Sequence, residues 1–193
     1  ECRVGLTPDS VKKLISQGHE LIVEIDAGYG SGFSDGDYLH LGAKIVETPK
    51  EVFDNSDLII KVKEPQATEI KLLKSNQILF TYLHLAANKP LTQGLIDSNA
   101  ICIAYETVTS SSNGLPLLAP MSEVAGKISI QAGAHALEKT QQGRGVLMAG
   151  AAGAPPADVV IIGCGVVGFN AALIAVGMGA NVNLIDKSEQ RLT

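Results

Sequence analysis

The sequence predicts an α/β fold built on parallel sheets, and two observations predict it. Short apolar runs at residues 21–25, 58–62, 78–83 and 101–104 are separated by stretches with helical spacing. Strands that alternate with helices pair in parallel and lie buried on both faces, so each reads as a nearly continuous apolar run. A second unit of the same kind begins at residues 159–162, passes a glycine triplet and a helix pattern, and reaches another apolar run at 182–185.

The elements follow in order. Thr7 suits a helix N-cap, Pro8 suits the first turn, and Val11, Leu14 and Ile15 line one face before Gly18 stops the helix. The strand at 21–25 leads into AGYGSGF (27–33), a glycine-rich loop without the strand-to-helix context of a phosphate loop. Helices are expected around 71–74 and over 90–98, between the strands at 58–62, 78–83 and 101–104. KVKEP (61–65), LHLA (83–86) and YETV (105–108) then fall at the carboxyl ends of those strands, where ligands gather in parallel sheets. SSSNG (110–114) reads as a surface turn. A helix is expected from Met121 or Ser122 toward Leu137, as a connector to the second unit.

Composition bounds the function. The 193 residues are 46% hydrophobic and 18% charged, enough for one large core or two modest ones. A net charge of −5 supplies no basic field for nucleic acid or an anionic membrane. Cys2, Cys102 and Cys164 are odd in number and never form a CxxC pair, which argues against a disulfide framework or a zinc site and for a reducing compartment. No apolar run reaches the roughly 18–20 residues of a membrane span, so a soluble cytoplasmic protein is expected. The chain opens on Glu1 without a methionine and stops at Thr193 as the next helix should begin, so a longer protein is expected around it.

The second unit carries the first chemistry. Gly163, Gly165 and Gly168 match G-x-G-x-x-G directly after a strand and at the head of a helix. In this motif the first glycine permits a tight turn, the second lets the backbone approach a pyrophosphate, and the third lets helix and strand pack closely. The helix N-terminus then offers free N–H groups and partial positive charge to the phosphates. Asp186 ends the second strand 18 residues after Gly168, near the spacing of about 20 expected of an acid that holds the adenosine ribose. A carboxylate there repels a 2′-phosphate, so NAD is favoured over NADP. Cys164 reads as a small filler inside the triplet.

RVGLTP (3–8), KVKEP (61–65), LFTYLHLA (79–86), AYETV (104–108), LLAPMSEVAG (117–126) and GRGVLM (143–148) occur in that order. Together they resemble the bacterial alanine dehydrogenases, which share a superfamily with the NAD-binding subunit of proton-translocating transhydrogenase. The resemblance implies reversible NAD-dependent oxidative deamination of L-alanine to pyruvate and ammonium, in a homohexamer of two Rossmann-like domains per chain. It implies a substrate domain begun by 1–121, a connecting helix over 122–142, and a truncated NAD-binding domain from 143–193. The 193 residues alone are then expected to be inactive.

Residue by residue, the resemblance implies that Arg3 holds the substrate carboxylate. It makes Lys63 the lysine at the carboxylate and carbonyl, and His84 the acid/base group. Ser122 would contact the cofactor phosphates, Asp186 the ribose, and Arg191 the adenosine region. The family's catalytic aspartate lies beyond Thr193. AGAAGAPP (149–156) departs from the family's GGVPGV-like turn, which bears on the linker's conformation more than on the chemistry. From the residues alone, Lys61 and Lys63 stand level as candidates, and Glu106 reads as support for the cofactor or the domain junction. Other readings are a transhydrogenase NAD-binding subunit, a lysine-forming or opine dehydrogenase, and a non-catalytic NAD-binding module.

Overall fold

The computed structural model describes residues 1–111 and 114–192, so part of the turn expected at 110–114 lies outside the described residues. Contacts divide the chain into two compact units, Glu1–Val108 and Thr109–Thr193. All strand pairs are parallel in the described sheets, as the apolar runs predict.

In the first unit, α1 (Pro8–Ser16) starts where Thr7 accepts the Ser10 N–H. Strand β1 (Ile22–Glu24) pairs with β2 (Lys44–Val46), with α2 (Asp35–Leu39) between them. Val11, Tyr38 and Ala43 form the core of this region, and the Tyr38 hydroxyl donates to the Leu6 carbonyl. Next come α3 (Pro49–Asp54), β3 (Leu58–Ile60), α4 (Ala67–Ile70), β4 (Ile78–Thr81), α5 (Lys89–Ser98) and β5 (Ile101–Ala104). The sheet order is β3-β4-β5, so β4 is central. Phe53, Ile59, Leu79, Leu83, Leu91 and Leu95 bury its core. Buried Gln77 closes one end by donating to the Phe53 and Ser56 carbonyls.

Two expectations need correction. The helix expected around 71–74 lies earlier, at Ala67–Ile70, because the Glu69 carboxylate accepts the Gln66 N–H at 2.7 Å and fixes the start there. Leu72 and Leu73 still pack on the core, but from the turn that follows. The second correction concerns α2, α3 and β2, which the apolar pattern did not anticipate. Both helices are fixed by polar capping boxes, Ser34 with Asp37 and Thr48 with Glu51.

In the second unit, α6 (Ala119–Ala136) begins two or three residues before the expected start and ends close to Leu137. Strand β6 (Asp158–Ile162), α7 (Val166–Gly177) and β7 (Asn181–Ile185) follow, with β6 and β7 paired in register from Asp158–Asn181 to Ile162–Ile185. Ile130, Met148, Ala157, Ile161, Ala171 and Ala175 form the core. Helices α6 and α7 meet at Gly126, where a Cβ would stand 2.3 Å from the Val167 carbonyl oxygen. No helix among the described residues is long and apolar enough to cross a membrane.

The contact at Gly126 yields a contrast. Gly126→Val should destabilise the protein by about 1–3 kcal/mol through overpacking. Gly133→Ala on the same helix, where a Cβ meets nothing within 4 Å, should stabilise it by roughly 0.5–1 kcal/mol. Urea unfolding of the two variants checks both signs.

Candidate functional site

The first unit places Lys63, His84 and Glu106 just past the ends of neighbouring strands. Backbone pairing continues past β3, with the Lys61 N–H donating to the Phe80 carbonyl and the Tyr82 N–H to the Val62 carbonyl. The fully buried Thr81 hydroxyl then donates to the Lys63 carbonyl at 2.8 Å, tying KVKEP to the end of β4. Lys63 keeps its ammonium half-exposed, 3.6 Å from the Glu64 carboxylate. Lys61 is drawn instead into an ion pair with Glu69 at 2.5 Å, both side chains largely buried. The two lysines therefore differ: one is committed to a partner within the fold, and the other stands more open.

A cleft of about 750 Å³ is lined by Arg3, Lys61, Lys63, Glu64, Glu24 and Glu69, among others. Arg3 and Lys63 thus share one concavity. His84 is exposed and is not among the residues lining that cleft. It is linked to the cleft through Tyr82: its ring stacks on Tyr82 at 6.1 Å between centroids, and the Arg3 charge acts on the Tyr82 phenol. Tyr105 packs edge-on against both Tyr82 and Phe80, and burial pushes its hydroxyl up to about 12.

Arg3 is held side-on by Glu1, with Nε donating to Oε1 at 2.8 Å and a terminal nitrogen to Oε2 at 2.7 Å. The Arg3 hydrogen bonds hold the Glu1 carboxyl down to about 2. The glycine-rich loop supports this segment. Ser31 Oγ donates to the Cys2 carbonyl at 2.7 Å, and a Cβ at Gly30 would stand 2.8 Å from the Cys2 Cα. AGYGSGF is thus a backing for the segment that carries Arg3 rather than a phosphate loop.

His84 adopts the left-handed conformation at φ 50°, ψ 39°, which costs a residue with a Cβ about 1–2 kcal/mol. The compensating contact comes from Glu106, just past β5. Its carboxylate accepts the His84 N–H at 2.7 Å and the Leu83 N–H at 3.1 and 3.3 Å. Burial works to raise the Glu106 carboxyl, but the N–H groups of His84, Glu106 itself and Leu83 outweigh it and the net shift is downward. Sequence reasoning saw Glu106 without seeing this contact. It lies three residues past the register partner of Phe80, a placement that only the paired strands reveal.

In the second unit, Ser122 on α6 lines a cavity of about 580 Å³ together with Gly163, Gly165 and Gly168. Gly163 sits at φ 98° and donates its N–H to the Ile185 carbonyl. A Cβ at Gly168 would lie 1.8 Å from the Gly163 oxygen, so only glycine fits there. At Gly163 and Gly165 a Cβ would meet nothing within 4 Å, which leaves open space over the turn at the α7 N-terminus. Asp186 and Arg191 do not line that cavity. The nearly buried Asp186 carboxylate accepts the Cys164 N–H at 2.6 Å and the Ser188 N–H at 2.8 Å, with the Arg191 guanidinium 3.8 Å away. Cys164 is buried, and it is its backbone that makes this contact.

Parallel strands joined by helices, with a G-x-G-x-x-G turn at the head of a helix, define the class: an α/β protein of parallel sheets. Within that class, the chain belongs to the alanine dehydrogenase/PNT family. The pattern described as "Alanine dehydrogenase/PNT, N-terminal domain" matches residues 1–125, and "Alanine dehydrogenase/PNT, C-terminal domain" matches 129–193. An alanine dehydrogenase of Halomonas elongata is 55% identical over 192 residues, covering 100% of this chain and 52% of the relative. One of Mycobacterium tuberculosis is 51% identical over the same span and shares. A solved L-alanine dehydrogenase superposes with a TM-score of 0.90 at 48% identity, covering 100% of this chain and 53% of the other. A transhydrogenase from Sinorhizobium meliloti superposes at 0.78 with 27% identity, covering 99% of this chain and 57% of the other. The chain spans about half the length of the curated relatives it matches.

The Asp186 contacts set a pH dependence. The N–H groups of Cys164 and then Ser188 hold its carboxyl below the ordinary range. A carboxyl lowered on folding contributes its full stability above the ordinary value of about 3.9 and loses it as pH falls through the folded value. Asp186→Asn should therefore be less stable than the wild type at neutral pH, with the difference shrinking as the pH falls below that range. Urea midpoints of the full-length protein across that range check it.

Proposed function

We propose that the full-length protein catalyses reversible oxidative deamination: L-alanine, NAD⁺ and water give pyruvate, ammonium, NADH and a proton. The observation that carries this reading is the shared cleft of Arg3 and Lys63, with His84 one strand away at the end of β4. The alanine dehydrogenase relatives support it over the full length of this chain.

Arg3 and Lys63 would take the substrate carboxylate. A guanidinium offers a planar fork for it, and Glu1 fixes the Arg3 guanidinium side-on beside the cleft that Arg3 lines. The half-exposed Lys63 ammonium would also offset negative charge that develops on the carbonyl oxygen. The His84 imidazole can accept a proton and give one back, which suits the traffic as the amine becomes an iminium, adds water and expels ammonium. Water adds to the iminium carbon, its two protons pass in turn to the nitrogen, and the carbon–nitrogen bond breaks as the carbonyl forms and ammonium leaves.

The residues of the second unit fit a dinucleotide. The open space over Gly163 and Gly165, the close approach at Gly168 and the N–H groups that begin α7 suit a pyrophosphate. Ser122 would add a hydroxyl to the same cavity. Asp186 keeps acceptor capacity for a ribose beyond the N–H groups it already holds, and Arg191 lies beside it. When bound, NAD⁺ supplies the hydride acceptor. The remainder of the reading is a homohexamer in the cytoplasm with no nucleic-acid or membrane partner.

The transhydrogenase relative supports a second reading, in which the protein passes hydride to another dinucleotide. Full-length protein mixed with L-alanine and NAD⁺ should form NADH; absence of NADH with retained NAD⁺ binding would favour the second reading. His84→Ala should keep NAD⁺ binding and lose turnover by roughly a hundred- to ten-thousand-fold. Arg3→Lys should mainly raise the KM for alanine. Steady-state kinetics separates these effects, and wild-type turnover in His84→Ala would remove His84 from the mechanism.

A further inference from the structure

We propose that Glu106 is a positioning residue that holds His84 in its left-handed backbone conformation and thereby sets where the imidazole points. This rests on the reading of His84 as the proton-transfer group. Three observations converge on it. His84 has the positive φ that a residue with a Cβ does not adopt without compensation. Its N–H, and that of Leu83, both end on the one carboxylate of Glu106. Leu83 is a fully buried core residue, so the carboxylate ties the exposed His84 to a side chain locked in the β3-β4-β5 core.

The geometry also explains why the clamp comes from β5. Strand β4 ends at Thr81, and the chain must turn away from the sheet within three residues to begin the next helical segment. The N–H groups of that turn have left the ladder and need acceptors. Glu106 sits at the same level just past the neighbouring strand, and its Oε1 accepts from both N–H groups. On the other side, Tyr105 packs against Tyr82, which stacks on the imidazole. Two consecutive residues after β5 thus brace His84, one through its backbone and one through its ring's neighbour.

A carboxylate that acts by accepting N–H bonds does not need its negative charge as a reactant, and this gives the test. In the full-length protein, Glu106→Ala should lower turnover by about a hundredfold or more while NAD⁺ affinity and the KM for alanine stay near wild type. Glu106→Gln, whose amide oxygen still accepts the His84 N–H, should remain within about tenfold of wild type. Glu106→Ala combined with His84→Ala should be no slower than His84→Ala alone, because a residue that acts through another adds nothing once that other is gone.

Crystal structures provide a readout independent of activity. Position 84 should keep a positive φ in Glu106→Gln and move to negative φ in Glu106→Ala. If His84 stays left-handed in Glu106→Ala, the proposal is wrong. It is equally wrong if Glu106→Gln is as slow as Glu106→Ala, since the ionised carboxylate would then take part itself. An additive loss in the double variant would also overturn it. Full activity in His84→Ala would instead overturn the role given to His84, and the φ angle in the crystal structure of Glu106→Ala would still decide whether the clamp exists.

Discussion

Parallel pairing of β3, β4 and β5 is the constraint on which the first unit depends. Parallel strands in register end at the same level, so whatever follows them emerges on one side of the sheet. Ile60, Phe80 and Ile103 are mutual register partners across the three strands. Lys63, His84 and Glu106 each follow by three or four residues. Nothing in their sequence separation brings these residues together; the hydrogen-bond ladder does. Its reach extends past the strands proper, through the Val62 carbonyl and the Thr81 hydroxyl.

The same device recurs in both units. A carboxylate one or two residues beyond a strand accepts N–H groups from the loop after the adjacent strand. Glu106 does so for Leu83 and His84, and Asp186 does so for Cys164. Each loop has left its ladder and carries a residue at positive φ, His84 in one case and Gly163 in the other. An ionised acceptor makes stronger hydrogen bonds than a neutral one and suits backbone that has no strand to pair with. In both places the acid does structural duty beside the position where ligand chemistry is proposed.

Much of the sheet was legible in the sequence because buried parallel strands write themselves as apolar runs. Strands β3 to β7 lie within or next to the runs that predicted them. The three-residue β2 left too short a pattern to read. The lysines and leucines of 71–74 imitated an amphipathic helix, whereas the Glu69 carboxylate on the Gln66 N–H decided where the turn starts. Of the candidate residues, the sequence pointed to positions, and the structure adds which of them share a cavity: Arg3 with Lys63, and Ser122 with the three glycines. It also separates Lys61 from Lys63 through Glu69, a partner that spacing along the chain did not reveal. The hold of Glu106 on His84 could not be read at all, because it depends on register between strands rather than on any pattern within one.

The loop behind Arg3 has a consequence for anyone reading a library of variants. Gly30 touches no candidate ligand residue, yet any side chain there must displace Cys2, and Cys2 is the immediate neighbour of Arg3 along the chain. Ser31 fastens the same carbonyl. Selection for altered use of a carboxylate substrate would therefore return hits in AGYGSGF, and they would look like distant background mutations. They would instead report on the placement of a guanidinium by Gly30 and Ser31, which do not themselves line the cleft.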